Sequence, residues 1–136
     1  MADAAAIHAE YVETVNTRDF DKMRALLDAD YSYTGPDGVE AKGPDAGIGV
    51  AQMYTAAFPD LKLEILHQHA ANGEVSVIEM RATGTHKGDL PDLPATGKRA
   101  VVSICDVIEV RDGKVYRERE YYDALSMMQQ LGAIPS

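Results

Sequence analysis

The chain of 136 residues has no tryptophan, two phenylalanines and a single cysteine. One cysteine cannot form an internal disulfide, and such sparing use is typical of proteins in a reducing compartment. No stretch approaches the roughly 18 consecutive apolar residues that a membrane-spanning helix needs. The opening residues, Met-Ala-Asp-Ala-Ala-Ala, lack the basic segment that begins a secretory signal. These absences predict a cytoplasmic protein with no membrane segment.

Positive charge is also scarce, with 13 Lys and Arg against 22 Asp and Glu and a net charge of −9. Nucleic acids and anionic membrane surfaces are bound through basic patches, so neither is expected as a partner. The sequence contains no phosphate-binding Gly-rich loop, dinucleotide fingerprint, Cys-x-x-Cys or Gly-x-Ser-x-Gly motif. We therefore expect no nucleotide cofactor and no Ser or Cys nucleophile.

A strong hairpin signal lies near the end of the chain. Asp112-Gly113 separates two runs rich in β-branched residues, and it favours a type I′ turn because both central positions need positive φ. With a two-residue turn, strict alternation places four polar side chains on one face of the hairpin: Asp106, Arg119, Tyr121 and Asp123. This group resembles a site, although a simple Asp106–Arg119 ion pair, worth at most about 1 kcal/mol, would also explain part of it.

The same register predicts the composition of the opposite face. It places Glu118, Glu120 and Tyr122 there, together with Cys105 and Glu109. We expect these residues to form the outer surface of the sheet, with a possible role in a dimer contact. A thiol facing away from Asp123 is not expected to take part in catalysis.

Apolar periodicity and turn residues define the other elements. They predict helices at 3–17, 19–27, 45–57 and 124–131, and strands at 31–34, 61–69, 75–85, 97–110 and 114–123. Asp3, Asp19 and Asp45 are the expected N-caps. Residues 87–96 contain two prolines and a glycine and predict a loop at a pocket rim. Helices that come early and hairpin-joined strands that come late predict a single α+β domain over residues 1–136, with a mostly antiparallel sheet.

Several segments of the chain resemble the SnoaL-like polyketide cyclase, or ester cyclase, group of the nuclear transport factor 2-like superfamily. They are residues 57–60, 82–88, 94–98 and 112–115, and residues 121–125 with 130–132. The resemblance implies a cone-shaped α+β barrel in which a curved sheet wraps around three N-terminal helices, followed by a short C-terminal helix. It also implies a pocket for a small apolar molecule, no cofactor, and often a homodimer through the outer sheet face.

The resemblance also implies a catalytic role for one acidic residue. In the characterised cyclases, an acidic residue on the last long strand is the acid/base of an intramolecular aldol closure, and Asp123 is the matching position. A desolvated carboxylate there would be a better base near neutral pH. Capping of the last helix, which begins directly after Asp123, would equally explain this residue. The chain departs from the group at Arg119, where an aromatic residue is common.

The remaining candidates lie on other strands and helices. His86 ends a strand beside the loop and could act as an acid, base or donor, or only bond the loop backbone. The candidate catalytic residues are therefore Asp123, His86, Arg119 and Asp106. The candidate substrate contacts are Tyr121, Tyr54, Tyr33, Tyr11 and His67, although core packing would account for the tyrosines of the helices and first strand. His67 and His69 could ligate a metal, but their spacing also fits an exposed pair, and no metal site is predicted.

Three functions remain open at this point. The first is a cofactor-independent acid/base enzyme acting on a small apolar carbonyl compound, most sharply a cyclase. The second rests on Asp106, Arg119 and Asp123, whose types match the Asp-Arg-Asp set that activates water in the limonene epoxide hydrolases of the same superfamily. The third is a non-catalytic small-ligand-binding protein or dimeric scaffold, in which Asp123 only caps a helix. The direction of the Asp123 carboxylate distinguishes the first from the third.

Overall fold

The computed structural model describes residues 3–135. The helices are α1 (Ala4–Thr17), α2 (Phe20–Ala25), α3 (Pro44–Ala57) and α4 (Ala124–Gln130). The strands are β1 (Leu27–Thr34), β2 (Glu40–Lys42), β3 (Lys62–Ala71), β4 (Val75–Thr85), β5 (Arg99–Arg111) and β6 (Lys114–Tyr122). The α+β class and the four predicted helices are thus confirmed.

Two of the three expected N-caps are present. The carboxylate of Asp3 accepts a hydrogen bond from the Ala6 amide, and that of Asp19 accepts one from the Lys22 amide. The prediction for Asp45 is wrong, because α3 begins one residue earlier, with Pro44 in its first turn. Proline suits that position, since its missing N–H would have no partner inside the helix.

The six strands form one curved sheet in the order β2-β1-β6-β5-β4-β3. Neighbouring strands run antiparallel except for β1 and β6, which pair in parallel. The short strand β2 and this parallel pairing were not predicted from the sequence. The parallel pair brings β1, which comes early in the chain, beside the last strand and therefore beside the middle of the sheet.

The predicted turn of the β5–β6 hairpin is confirmed, since Asp112 and Gly113 have φ values of 52° and 76°. The predicted register holds only at the turn. Val110 pairs with Val115, but the next residue of β5, Glu109, pairs with Arg117. Tyr116 is therefore an extra residue in β6, which makes a β-bulge. Because side chains alternate along a strand, this one residue inverts the faces of all of β6 beyond it.

Helices α1 and α3 cover the inner face of the sheet. The larger core cluster joins α1, α2, α3, β1 and the hairpin, and it contains Ile7, Tyr11, Met23, Leu27, Tyr31, Ile48, Ile108 and Val115. A second cluster lies around Phe58, Leu90 and Leu131 at the other end. The residues between these clusters leave a cavity under α1 and α3.

The opposite, outer face of the sheet is partly apolar and open. It includes Val101 and Tyr121, which are 38% and 54% exposed. A homodimer through this face stays a prediction, as does the cytoplasmic location. Among residues 3–135, no helix has the length and apolar character needed to cross a membrane.

The positive φ at Gly113 leads to a prediction about stability. Gly113→Ala places a side chain in left-handed backbone and should lower the free energy of unfolding by about 1 kcal/mol. The matched control is Gly49→Ala, whose added methyl group meets no atom within 4 Å on the surface of α3. It should raise that free energy by about 0.5–1 kcal/mol, through helix propensity. Urea unfolding measures both changes, and equal effects of the two variants would contradict the assigned turn.

Candidate functional site

A cavity of about 120 Å³ lies between the inner face of the sheet and helices α1 and α3. Most of its wall is apolar, with Val12, Val15, Met23, Val50, Ala51, Phe58, Leu61, Leu63, Met80, Val102, Ile104 and Met127 among the lining residues. Its charged wall residues are Asp106, Glu118 and Glu120. Three acidic side chains in an apolar cavity are costly to bury as ions, so their protons decide what the site can do.

These three residues meet because of the bulged register. Asp106 of β5 pairs directly with Glu120 of β6, and Ile108 pairs with Glu118. One oxygen from each carboxyl group lies within 4.8 Å of the others. Asp106 is 1% exposed and Glu118 is 3% exposed. We call Asp106, Glu118 and Glu120 the carboxyl cluster.

Phenol groups from α1 and β1 donate hydrogen bonds to the two glutamates. Tyr11 donates to Glu118 Oε1 at 2.7 Å, and Tyr31 donates to the same oxygen. Tyr33 donates to Glu120 Oε1 at 2.7 Å. Burial, followed by the neighbouring glutamates, raises the pKa of all three tyrosines above the usual value, so they remain donors at ordinary pH.

Burial is the main cause of the altered acidity of the cluster. It raises the pKa of Glu118 well above its usual value, and the nearby Asp106 adds to this effect. Burial and the charge of Glu120 raise the pKa of Asp106 to about 8. Burial and the charge of Glu118 raise the pKa of Glu120 to about 7. At neutral pH, Asp106 and Glu118 therefore keep their protons, while Glu120 is divided between its acid and its carboxylate.

A buried histidine supports the cluster from α1. His8 is 0% exposed, with Nε2 2.9 Å from Asp106 Oδ2 and Nδ1 2.8 Å from Ser76 Oγ. Burial lowers the pKa of His8 to about 4, against the opposing effect of Glu118, so the ring is neutral at pH 7. The sequence indicated only that His8 lies beside the apolar stripe of α1. Its partner Asp106 is 98 positions away, and no local pattern connects the two.

Two further phenols meet at the cavity wall. The hydroxyl groups of Tyr54 and Tyr122 lie 2.6 Å apart, so one donates to the other. Each phenol hydroxyl carries one hydrogen, and the bond between the two tyrosines uses only one of these two hydrogens. The other hydrogen has no partner among the hydrogen bonds of residues 3–135 and is available to a molecule in the cavity.

Comparison with known proteins identifies the family of this site. A family model described as SnoaL-like polyketide cyclase matches residues 5–131. The chain belongs to the SnoaL-like polyketide cyclase family. The resemblance noted in the sequence is thereby confirmed, and the match extends it to α1, α2 and α3.

Two curated members of the family are similar in sequence. Aklanonic acid methyl ester cyclase DnrD of Streptomyces peucetius is 29% identical over 124 residues, which cover 89% of this chain and 85% of the relative. Aklanonic acid methyl ester cyclase DauD of Streptomyces sp. strain C5 is also 29% identical over 124 residues, covering 89% of this chain and 76% of the relative.

Solved structures agree on the fold. AclR, a putative hydroxylase from Streptomyces galilaeus, has a TM-score of 0.85 at 23% identity, covering 96% of this chain and 82% of the other. IdmH, a putative polyketide cyclase from Streptomyces antibioticus, has a TM-score of 0.81 at 24% identity, covering 93% and 96%. At such identities the likeness concerns the fold alone.

The structure places some of the sequence-predicted site residues in the cavity wall and others outside it. Asp106, Tyr11, Tyr33 and Tyr54 line the cavity. Asp123 does not: its carboxylate accepts a hydrogen bond from the Ser126 amide at 2.9 Å and caps α4 at the surface. The predicted pocket position of Asp123 is therefore wrong, and capping of α4 accounts for the direction of its side chain.

Arg119 and Tyr121 also lie outside the cavity, because the bulge at Tyr116 turns them to the outer face. Arg119 pairs with Glu109 instead of Asp106, and the predicted Asp106–Arg119 pair does not form. The same inversion brings Glu118, Glu120 and Tyr122 inward, contrary to the predicted outer position. No signal in the sequence located this bulge.

The two remaining histidine candidates are separate from the cluster. His67 is exposed on β3 and is absent from the cavity wall. His86 is fully buried, stacks on Phe58 at a centroid distance of 5.3 Å, and accepts a hydrogen bond from the Thr96 amide at Nδ1. His86 thus holds the loop against the wall residue Phe58. This agrees with the alternative in which His86 only bonds the loop backbone.

The carboxyl cluster is also the place where a metal ion could bind. Oxygen ligands suit Mg²⁺ or Ca²⁺, which take six to eight of them. The cluster offers one oxygen from each of three residues, and the surrounding wall is largely apolar. Three phenols already donate to its two glutamates. This donor pattern fits shared protons better than a cation.

The raised pKa values of the carboxyl cluster predict how stability depends on pH. A carboxyl group with a raised folded-state pKa binds its proton more tightly in the folded chain. The folded state therefore loses stability as pH rises from the unfolded-state pKa to the folded-state pKa. Between pH 6.5 and 8, each retained proton should lower the unfolding free energy by about 1.4 kcal/mol per pH unit. Above its unfolded-state pKa of about 6.5, neutral His8 contributes no slope.

Thermal and urea unfolding across this range test that prediction. Glu118→Gln should give a shallower decline in stability than the unchanged protein. The matched control is Glu109→Gln on the outer face, where the bond from Arg119 lowers the pKa of Glu109. A lowered pKa affects stability only in acid, so this control should keep the full slope. Parallel slopes for all three proteins would contradict the proton assignment.

Proposed function

We propose that the protein is a cofactor-independent acid/base enzyme that closes a ring in a small carbonyl compound by an intramolecular aldol reaction, with Glu120 as the base. One observation carries the proposal. A carboxylate with a pKa of about 7 lies in the wall of an apolar cavity. A base with a pKa near the working pH is best suited to remove a proton and return it.

Glu120 fits this role better than the other two members of the cluster. Glu118 accepts two phenol hydrogen bonds at one oxygen, is almost fully buried and keeps its proton. Asp106 is held by His8 and also keeps its proton at neutral pH. Glu120 accepts one phenol hydrogen bond and is less buried. It also lies on the last long strand; the family resemblance implied an acid/base on this strand but matched that role to Asp123 and not to Glu120.

The proposed reaction conserves atoms and charge without a further reactant. The Glu120 carboxylate takes a proton from a carbon next to a carbonyl, and the C–H electron pair forms an enolate. The enolate carbon attacks a second carbonyl of the same molecule, which forms the C–C bond and leaves an alkoxide. The alkoxide takes the proton from Glu120, which returns to its carboxylate form. Donors at the enolate oxygen lower the barrier of the first step.

The wall composition supports a neutral substrate. No Lys or Arg appears among the described cavity residues, whereas three carboxyl groups do. A free carboxylate in the substrate would be repelled by Glu120 and would find no cation. An ester removes that charge, and the two curated relatives are named as methyl ester cyclases. A cavity of about 150 Å³ holds benzene, so about one ring of the substrate fits inside at a time.

The two other functions receive less support. The Asp-Arg-Asp hypothesis needs Asp106, Arg119 and Asp123 together, but two of them point away from the cavity. The capping role of Asp123 agrees with the non-catalytic hypothesis and removes Asp123 as the base, so the enzyme proposal depends on Glu120 instead. The non-catalytic hypothesis also expects a closed Asp106–Arg119 pair, whereas Asp106 instead contacts a buried histidine.

Substitution of the proposed base tests the function. Glu120→Gln removes the proton acceptor with little change in shape, so turnover should fall by about 10²-fold or more. The assay follows ring closure of aklanonic acid methyl ester and of shorter β-keto methyl esters by chromatography. Asp123→Asn and Arg119→Lys are the controls, and both should keep their activity. Loss of ring closure in either control would contradict the placement of Asp123 and Arg119 outside the site, and full activity of Glu120→Gln would reject the proposed base.

The acidity of the cluster predicts a bell-shaped pH profile for kcat/KM. Activity should rise as Glu120 loses its proton near pH 7 and fall as Asp106 loses its own near pH 8. The optimum should therefore lie between these two values. Initial rates at ester concentrations well below KM, from pH 5.5 to 9.5, give kcat/KM and therefore report the pKa values of the free enzyme. A rate that rises steadily across the whole range would show that no protonated group is needed.

A further inference from the structure

We infer that Asp106 presents an acidic hydrogen at Oδ1 to the carbonyl oxygen of the substrate, and that His8 is the positioning residue that keeps this hydrogen on Oδ1. This assignment rests on the proposed function for its catalytic meaning. Its structural basis is a chain of hydrogen bonds that begins at Gln68 and ends at Asp106.

The orientation of Gln68 is fixed at the start of the chain. Its Nε2 lies 2.8 Å from the backbone oxygen of Ala5 and 3.2 Å from Ser76 Oγ. A backbone carbonyl can only accept, so the amide nitrogen, and not the amide oxygen, must face it. The second hydrogen of the same NH₂ group then points to Ser76 Oγ, which acts as its acceptor.

The hydroxyl hydrogen of Ser76 therefore determines the tautomer of His8. Ser76 is fully buried, and an unpaired hydroxyl hydrogen there would be costly. Its hydrogen is paired when it points to His8 Nδ1, at 2.8 Å. With Nδ1 as the acceptor, the neutral ring carries its hydrogen on Nε2. That hydrogen is donated to Asp106 Oδ2 at 2.9 Å.

The position of the Asp106 proton follows from this donation. Oδ2 already accepts from His8, so a proton on Asp106 lies on Oδ1. Oδ1 is buried and has no hydrogen-bond partner among residues 3–135. Asp106 contributes to the cavity wall, opposite Glu120 in the paired strands. An unpaired buried polar atom in a cavity wall is a candidate for contact with a bound molecule.

This arrangement supplies the second requirement of an aldol reaction. When Glu120 removes the proton from carbon, negative charge develops on the carbonyl oxygen of the substrate. The O–H at Asp106 Oδ1 can donate to that oxygen without full proton transfer and stabilises the enolate in a site of low polarity. Base and donor thus face each other from paired positions on β5 and β6.

Several other ionisable groups face Asp106 and affect its proton. They come from α1, β1 and β6, and they are His8, Tyr11, Tyr31, Tyr33, Glu118 and Glu120. Glu120 favours a protonated Asp106, because its charge resists a second negative charge nearby, whereas the Glu118 side chain acts in the opposite direction and lowers the pKa of Asp106. The N–H of His8 favours the ionised form of Asp106. Its main effect is on the position of the proton, because Oδ2 accepts from His8 and leaves Oδ1 to carry the hydrogen.

The first test measures binding of 3,4-dinitrophenol, a single-ring compound that is mostly ionised at pH 6 and whose phenolate oxygen mimics that of an enolate. Absorbance titrations are made at pH 6, where Glu120 is mostly protonated. Asp106→Asn keeps an N–H donor at this position and should bind within about threefold of the unchanged protein. Asp106→Leu has no donor and should bind about tenfold more weakly, or worse. Cys105→Ser, on the outer face of the same strand, is the control.

The second test observes His8 directly. Nitrogen NMR of ¹⁵N-histidine protein at pH 7, with His8→Gln to assign the signal, should show a neutral ring with its hydrogen on Nε2. Ser76→Ala should mix the two tautomers. In a kinetic comparison, His8→Phe should lower kcat with little change in KM, and His8→Gln, which keeps an amide donor towards Asp106, should restore most of the loss.

Each contrary result has a definite meaning. An imidazolium or an Nδ1–H tautomer at His8 would overturn the positioning role. Binding by Asp106→Asn that is as weak as in Asp106→Leu, or undiminished binding in Asp106→Leu, would overturn the donor. The binding titrations and the NMR measurement need no turnover. If Glu120→Gln remains active while both results hold, the proposed function fails and the assignment of the Asp106 hydrogen stands. Circular dichroism of each variant excludes a loss of folding as the cause.

Discussion

The bulge at Tyr116 determines which side chains of β6 face the helices. Without the extra residue, Glu118 and Glu120 would point outward and the cavity would be closed by Arg119 and Tyr121. The bulged residue is held on the outside by two cations: the guanidinium groups of Arg111 and Arg117 lie over the Tyr116 ring, 4.8 and 5.3 Å from its centroid. One extra residue in β6 therefore decides whether the acidic side chains of this strand line the cavity or lie on the outer surface of the sheet.

Burial of the carboxyl cluster then limits its charge. Three carboxyl groups with oxygens within 4.8 Å of one another cannot all be ionised in an apolar cavity, so they share protons as a group. The phenols of Tyr11, Tyr31 and Tyr33 stabilise negative charge on the glutamates, but they do so less than full hydration would. The cluster thus carries at most one charge near neutral pH, and it lies on Glu120. A single base beside protonated donors is the arrangement that enolate chemistry requires.

Much of the scaffold could be predicted from local patterns. Asp112-Gly113 predicted the hairpin, and Asp3 and Asp19 predicted two helix N-caps. The alternation of side chains along β5 predicted the inward direction of Asp106. The bulge could not be predicted, because Tyr116 fits either face of a strand and its position depends on contacts across the sheet. The inversion then misplaced every candidate on β6. His8 was missed for a related reason: its helix pattern is satisfied by packing alone, and its polar partners lie far along the chain.

Helix α1 shows why the core and the site cannot be separated in this fold. His8 and Tyr11 are three residues apart and therefore lie on one face of the helix. From that face, His8 reaches Asp106 on β5 and Tyr11 reaches Glu118 on β6. The same face packs Ile7 and Tyr11 into the larger core cluster. A shift of α1 along the sheet would change the packing of the core and the protonation of the cluster together, so the helix position that stabilises the domain also determines the acidity of its site.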